Sequence, residues 1–402
     1  MSTTTSLRRD ARVIGLVGVS HGVSHFYHLI LAGLFPWLKS AFVLSYAELG
    51  LLMTLFFVVS GVGQALSGFV VDRVGALRVL LTGHALLFVA ALVLASAPNY
   101  AVLLLGSLIA GCGNGVFHPA GYTLLNQNVS QERLPHGFSV HGISGNVGWA
   151  AAPLFLAAVA TLSSWRVALL SSSAIPACML LMLFLNRKVL ATNAPVQTSA
   201  HTAGGSFGFL RLPAVWMCFG FFFLTSVALG GIQAFSSTSL TALYAISLPT
   251  AATAYTTFML SSAAGMVAGG FLAARAHSYD RTITISLLSA AAFALLLSAS
   301  VVPGPMVVLV MGAIGLSTGI AGPSRDLLMR AAAPPNATGR VFGVVYSGMD
   351  VGMAVGPVMF GLLMDGGHPA ALFIGVALFQ MLAIATAVGA GGMGRAPLPH
   401  KA

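Results

Sequence analysis

The chain has 402 residues, of which 18 are Lys or Arg and only 8 are Asp or Glu, so charged residues make up 6% of it. Soluble domains carry about 25% charged residues, and a chain that is 57% hydrophobic could not cover a water-facing surface with so few ionisable groups. Nucleic-acid binding is also excluded, because the net charge of +10 has no polar domain on which to form a basic patch.

Apolar stretches long enough to cross a bilayer, which takes roughly 20 residues, recur along the whole chain. Twelve transmembrane helices are predicted, at residues 13–38, 48–71, 77–96, 100–126, 138–161, 165–186, 213–238, 249–274, 282–302, 305–330, 341–364 and 369–391. Membrane-spanning strands do not fit, because they alternate polar and apolar residues in segments of about 10. The fold class is therefore an all-α membrane protein.

The basic residues predict on which side of the membrane each loop lies. With the N-terminus in the cytoplasm, fifteen Arg and Lys residues fall on the inner side, whereas only Lys39 and Arg166 fall on the outer side. This split follows the positive-inside rule, so both termini are expected to be cytoplasmic. The positive net charge is thus a topology signal rather than evidence about a substrate.

The sequence is predicted to form two six-helix halves, 1–186 and 213–402, joined by a cytoplasmic linker at 187–212. A shift of 204 residues aligns Gly111, Gly115, Pro119, Leu124, Phe138, Gly148 and Pro153 with Gly315, Gly319, Pro323, Leu328, Phe342, Gly352 and Pro357. Two halves in the same orientation predict parallel repeats, which rock against each other around a central site.

The loop after span two carries a motif of glycines and charged residues. It has the spacing G-x-x-x-D-R-x-G-x-x-R, formed by Gly68, Asp72, Arg73, Gly75 and Arg78. This motif resembles the corresponding loop of the major facilitator superfamily. Asp72 is an anion at a helix end and can cap the positive N-terminus of a neighbouring helix. The resemblance implies that this neighbour is span eleven, starting near Thr338, and that the contact locks the outward-facing state.

Spans five and eleven combine small residues with a proline, a pattern that lets helices approach closely and bend. The residues are Gly148 and Pro153 in span five and Gly352, Gly356 and Pro357 in span eleven. The pattern is similar to one that is common in superfamily exporters, although Ala152 precedes the proline in the first half. Tight helix packing is the alternative interpretation.

Span four contains the run Phe117-His118-Pro119, which locally resembles the fosmidomycin-resistance branch of the superfamily. Many superfamily antiporters carry an Arg four residues before the first glycine of this stretch. Here that position is Ser107. Proton coupling through that Arg is therefore not expected.

Two ionisable residues of the second half are predicted to lie on the transport pathway. Asp350 lies ten residues into span eleven, about 15 Å from its inner end, and its repeat counterpart is Asn146. An acid at that depth is a candidate proton carrier, and a neutral, hydrogen-bonded Asp is the structural alternative. Arg325 in span ten either faces the cavity, where it would attract an anion, or reaches the inner surface. Its neighbour Asp326 is expected to pair with Arg330.

Three histidines of span one, His21, His25 and His28, fall at i, i+4 and i+7, within an arc of roughly 60°. The superfamily resemblance implies that spans one, four, seven and ten line the cavity, where His118, Gln233 and Tyr27 could join them. A proton-sensitive patch is expected, because histidine titrates near neutral pH. Metal binding competes with this interpretation but is less favoured, since span one offers no carboxylate or Cys to complete a shell.

No nucleotide-binding loop G-x-x-x-x-G-K-[ST] and no convincing catalytic constellation are present, so neither ATP-driven transport nor an enzyme is predicted. The leading hypothesis is a monomeric secondary active transporter of a bacterial inner membrane. It would use the proton gradient, without a cofactor or a nucleic-acid partner, to export a small drug-like or anionic molecule. Uptake of an organic anion or metal complex, or an intramembrane receptor or enzyme, are the alternatives.

Overall fold

The computed structural model describes residues 3–130, 132–191, 211–275, 278–332 and 338–393. The described chain is helical throughout and contains no strand. Its α-helices are α1 (Thr3–His28), α2 (Phe35–Phe42), α3 (Tyr46–Val74), α4 (Ala76–Ala95), α5 (Tyr100–Asn114), α6 (Phe117–Asn128), α7 (Leu134–Leu162), α8 (Trp165–Leu185), α9 (Arg187–Leu190), α10 (Pro213–Tyr244), α11 (Leu248–Arg275), α12 (Tyr279–Ser298), α13 (Val307–Ala332), α14 (Thr338–Asp365) and α15 (Ala370–Met393).

Length and composition identify the membrane-crossing helices. Within the described residues, eleven helical segments are long and apolar enough to cross a membrane, with α5 and α6 counted together as Tyr100–Asn128. Counting the bent pair of α1 and α2 as one span brings the total to twelve. The prediction of an all-α membrane protein is confirmed, and eleven to twelve spans agree with the predicted twelve.

Span one is not the single continuous helix predicted at 13–38. α1 ends at His28, a 3₁₀ turn covers Ala32–Leu34, and the two helical parts meet at a bend of 47°. Gly33 in this turn packs closely on α7, since a Cβ there would lie 3.2 Å from the Cα of Pro153. The composition stays apolar through the break, so hydropathy alone could not show it.

The chain divides into two compact units, Met1–His201 and Thr202–Ala402, and residues 192–210 of the predicted linker lie outside the described residues. The helices of each unit pair in the same manner. In the N-terminal unit α1 packs on α7, α3 on α5, and α4 on α8. In the C-terminal unit α10 packs on α14, α11 on α13, and α12 on α15. Each unit therefore repeats one arrangement of helices.

The glycines that align at a shift of 204 residues make equivalent close contacts in the two units. A Cβ on Gly111 would lie 2.6 Å from the carbonyl oxygen of Phe56 in α3. A Cβ on its counterpart Gly315 would overlap the carbonyl oxygen of Phe258 in α11. The sequence repeat therefore reflects a repeated backbone contact that only glycine allows.

Large apolar side chains lie on the outside of the helices as well as in the interior. Phe271 is 70% exposed, Leu185 is 68% exposed and Leu181 is 58% exposed. Water would make such a surface an aggregation hazard, whereas lipid chains are as apolar as these side chains. The exposed faces thus fit a helix bundle that is surrounded by lipid.

Candidate functional site: a histidine cluster in the N-terminal unit

The three histidines of α1 stack along one face near its C-terminal end. The ring centroids of His21 and His25 are 4.2 Å apart, and those of His25 and His28 are 4.6 Å apart. His21 and His25 are both buried. The helical spacing of i, i+4 and i+7 thus brings three imidazoles into one continuous column.

Two further histidines reach this column from other helices. His118 of α6 places its Nε2 atom 3.1 Å from Nε2 of His21. The ring of His141 in α7 stacks on the ring of His21 with centroids 3.5 Å apart. The structure therefore brings together the four predicted histidines and a fifth, His141, which sequence reasoning missed.

Glycine in α7 provides the space that the rings of α1 occupy. A Cβ on Gly145 would lie 2.6 Å from Nδ1 of His25 and 2.9 Å from Cε1 of His21. His141, Gly145 and Gly148 share the i, i+4, i+7 spacing and hence one face of α7. This second pattern, opposite the histidines of span one, is the signal that could have identified His141.

Polar side chains of α3, α5 and α7 complete the hydrogen bonding around the cluster. The indole Nε1–H of Trp149 donates to Nδ1 of His28 at 3.1 Å, so the Nε2–H of that ring donates to Oδ1 of Asn114 at 3.2 Å. An indole nitrogen can only donate, and this assignment makes His28 a neutral imidazole with a fixed tautomer. The Asn114 amide in turn accepts from Ser24 at 2.5 Å and donates to Ser60 at 2.7 Å.

His25 has fewer hydrogen bonds than the neighbouring histidines. Its Nδ1 atom is buried and has no hydrogen-bond partner among the described residues. Its ring lies between those of His21 and His28 and 4.3 Å from that of Trp149. An unpaired buried nitrogen carries a desolvation cost, and such an atom is available to a ligand.

The position of Tyr27 contradicts the suggestion that it joins the histidines. Its hydroxyl donates to the backbone oxygen of Ser172 in α8 at 3.2 Å, and the side chain is fully buried there. Residue 27 lies about 100° around α1 from His28, which turns it towards α8 rather than towards α6 and α7.

The remaining predicted residues of the pathway lie in the C-terminal unit. Gln233 is buried in α10, and neither atom of its amide has a hydrogen-bond partner among the described residues. Arg325 pairs with Asp326 at 2.9 Å. The side chain of Arg330, the expected partner of Asp326, lies outside the described residues, so that pair stays a prediction. Asp350 is half-buried in α14.

The sequence model of the Major Facilitator Superfamily matches residues 17–244 and 222–390 of this chain. The chain belongs to the Major Facilitator Superfamily. The prediction that the chain is a membrane transporter and not an enzyme is thereby confirmed. The superfamily match spans both units and all the helices that carry the predicted site residues.

Two superfamily relatives match part of the sequence. The chain is 25% identical to the Fosmidomycin resistance protein of Escherichia coli (strain K12) over 158 residues. These residues make up 39% of this chain and 39% of that protein. It is 26% identical over 147 residues to the Uncharacterized MFS-type transporter YfnC of Bacillus subtilis (strain 168), covering 37% of this chain and 36% of that protein. The aligned part thus spans less than half the length of either relative, and the fosmidomycin resemblance is local.

Solved superfamily structures resemble the chain over nearly its whole length. A bacterial homologue of the human lysosomal transporter Spinster, inward-facing and occupied, has a TM-score of 0.75 at 14% identity and covers 96% of both chains. A point mutant of the nucleoside transporter NupG has a TM-score of 0.78 at 15% identity, covering 94% of this chain and 99% of that one. At such identities the likeness shows the major facilitator fold alone.

The superfamily loop motif lies at the junction of α3 and α4. Gly75 separates the two helices with φ of +90°, a backbone conformation that favours glycine. Asp72, Arg73 and Arg78 are all exposed. The side chains in the first turn of α14, the predicted partner of Asp72, lie outside the described residues, so the lock stays a prediction.

Asp72→Asn is expected to weaken one conformer of the transporter and to lower turnover more than substrate affinity. The loss of the negative charge removes about 0.3–1 kcal/mol of stabilisation for an exposed helix cap and up to ~2 kcal/mol for a partly buried one. Labelling of single cysteines on the outer side would measure the shift, with Asp72→Glu as the charge-preserving control. Identical labelling of the Asn variant and the wild type would argue against a lock.

Proposed function

We propose that this superfamily member is a proton-coupled secondary active transporter that exports a small drug-like or anionic molecule across a bacterial inner membrane, with both termini in the cytoplasm. Superfamily membership supports transport of a small molecule by alternating access. The observation that carries the coupling is the environment of Asp350 in the C-terminal unit. The proton gradient supplies the energy, and no cofactor is required.

Asp350 occupies the middle of α14, on the face that points away from α10. The opposite face is defined by Gly348 and Gly352, where a Cβ would lie 2.6 Å and 2.5 Å from the carbonyl oxygens of Phe219 and Phe223. Residue 350 is two positions from each glycine and therefore lies about 180° away from the midpoint between them. Its carboxyl consequently projects away from the tightest helix contact of this unit.

No hydrogen bond or ion pair to the Asp350 carboxyl occurs among the described residues. A charged acid at membrane depth is expensive unless it is paired or wet, so such residues commonly mark ion or proton pathways. An acid without a fixed cation can be neutral when it is loaded with a proton and ionised when water reaches it. This is the property that a proton carrier requires.

Arg325 supports an anionic or amphipathic substrate. Its guanidinium lies 4.6 Å from the ring centroid of Phe222, at the edge of the packed core that contains Cys218, Phe221 and Ile283. A partly exposed guanidinium can bind the acidic group of a substrate, and the aromatic and aliphatic side chains beside it can contact an apolar part of the same molecule. The guanidinium also pairs with Asp326, which an incoming anion would have to displace or share.

Export is supported by the local likeness to a protein that is named for fosmidomycin resistance, because removal of a compound from the cell is one route to resistance. The small residues and prolines of α7 and α14 agree with the exporter pattern noted above.

Uptake of an organic anion or metal complex is the second candidate, and the histidine cluster of the N-terminal unit is the observation that favours it.

Transport measurements in inside-out and right-side-out membrane vesicles distinguish export from uptake. Inside-out vesicles from cells that produce the protein should accumulate the substrate when respiration acidifies their interior, and a protonophore should abolish the accumulation. Fosmidomycin is the first probe, followed by a panel of antibiotics, organic acids and metals. Accumulation restricted to right-side-out vesicles would overturn export and favour uptake.

A further inference from the structure

The histidine cluster contains two imidazole nitrogens that face each other. His21 Nδ1 lies 2.6 Å from the backbone oxygen of His141, and a carbonyl oxygen only accepts, so this nitrogen carries the proton. His118 Nδ1 lies 2.6 Å from Oε1 of Gln64 and donates to it. Both neutral rings then present a bare lone pair at Nε2, and these two atoms are only 3.1 Å apart. Two lone pairs at that distance repel each other unless a cation lies between them.

The outer hydrogen bonds of these rings are those of metal-binding histidines. A histidine ligand usually donates its second ring N–H to a backbone carbonyl, an amide or a carboxylate, which fixes the tautomer and aims the free nitrogen at the metal. The carbonyl of His141 and the amide of Gln64 do this for His21 and His118 respectively. The two partners come from α7 and α3, so the arrangement depends on the packing of the unit and not on one helix alone.

His25 supplies a third nitrogen. The ligand atoms of His21, His25 and His118 all lie within 4.8 Å of one another. In a tetrahedral zinc site with metal–nitrogen bonds of about 2.0–2.1 Å, ligand nitrogens are about 3.3 Å apart. The 3.1 Å separation of the His21 and His118 nitrogens is close to that value. The His25 nitrogen lies within 4.8 Å of both and would move closer on binding the metal.

We infer that His21, His25 and His118 bind one divalent transition-metal ion, of the zinc, nickel or cobalt class, inside the N-terminal unit. Imidazole is a good ligand for these ions. Three protein ligands leave the fourth position open to water or to a donor atom of a chelating substrate. An open position suits an ion that enters and leaves. This site goes beyond the proposed proton coupling, which depends on Asp350 in the other unit.

Binding of Co²⁺ to the purified full-length protein, freed of any affinity tag and of metal, tests the inference without a transport assay. Tetrahedral Co²⁺ has ligand-field bands in the visible spectrum, and Zn²⁺ can then be titrated by displacement of the cobalt. We expect one ion per chain. His21→Gln and His118→Gln should lose the spectrum, and Gln64→Leu should weaken the affinity by about 10–100-fold as a positioning residue.

His84→Gln is the matched control, because His84 is also a fully buried histidine of this unit but bonds to the backbone oxygen of Leu80 in its own helix at 3.0 Å. This variant should bind cobalt as the wild type does, and thermal unfolding of each variant would show that it is folded. Absence of saturable binding to folded wild-type protein would overturn the inference. The 3.1 Å contact between the two rings would then be a hydrogen bond through a single proton, with the Gln64 amide turned so that it donates to His118. Equal binding by all variants would overturn the inference as well.

Discussion

Asp350→Asn is expected to abolish the response of transport to an imposed pH gradient while leaving the fold and substrate binding intact. The amide matches a protonated carboxyl in shape and polarity but cannot release a proton, so the cycle loses its coupling ion. In proteoliposomes, gradient-driven transport should fall to the level of empty liposomes. Exchange of labelled for unlabelled substrate, which needs no net proton movement, should persist.

The control for this substitution is Asp365→Asn, which removes an exposed acid at the C-terminal end of the same helix. It should leave both transport modes near the wild-type level. Asp350→Glu, which retains a protonatable group, should recover part of the gradient response. Full gradient-driven transport by the Asp350→Asn variant would assign this residue a structural role only.

Gly148→Ala is expected to destabilise the N-terminal unit. A Cβ on Gly148 would overlap the carbonyl oxygen of Gly22 and lie 3.0 Å from the backbone nitrogen of Phe26. Both neighbours are backbone atoms of α1, so relief requires α1 and α7 to separate and weakens the contact that holds the histidine cluster. Overpacking of this kind costs about 1–3 kcal/mol. Thermal unfolding of the purified protein in detergent would show the effect as a lower melting temperature.

Gly142→Ala is the matched control in the same helix, because a Cβ at that position meets nothing within 4 Å. Alanine is the better helix former by about 1 kcal/mol, so this variant should be as stable as the wild type or slightly more stable. If both variants melted at the wild-type temperature, the close contact between Gly148 and α1 would be refuted.

The number of spans and the internal repeat could be predicted from the sequence, because both depend on composition and on small residues at regular spacing. The aligned glycines Gly111 and Gly315 contact the backbone of equivalent helices, and a Cβ at either position would be too close to a carbonyl oxygen. The break in span one could not be predicted. It lies in apolar sequence, and the bend between α1 and α2 accompanies a contact of Gly33 with α7 that is distant along the chain.

Part of the candidate site could also be predicted from regular spacing along a helix. Helical spacing placed His21, His25 and His28 on one face, and the structure has these rings in contact. The spacing within span one could not show that α6 and α7 bring His118 and His141 to the same column. For His141 the signal was the matching spacing of glycines in α7. The expectation that Tyr27 joins the histidines was wrong, because the position of a residue around α1 does not show which neighbouring helix packs against that residue.

The most direct test of proton-coupled transport is to measure proton movement during substrate transport by the wild-type protein. Proteoliposomes that enclose a pH-sensitive dye would receive an outward substrate gradient, using a compound found in the vesicle screen. Antiport of substrate and proton predicts that substrate efflux acidifies the interior, that a protonophore abolishes this signal, and that Asp350→Asn does not produce it. Substrate efflux that moves no protons and does not respond to an imposed pH gradient would rule out proton-coupled export.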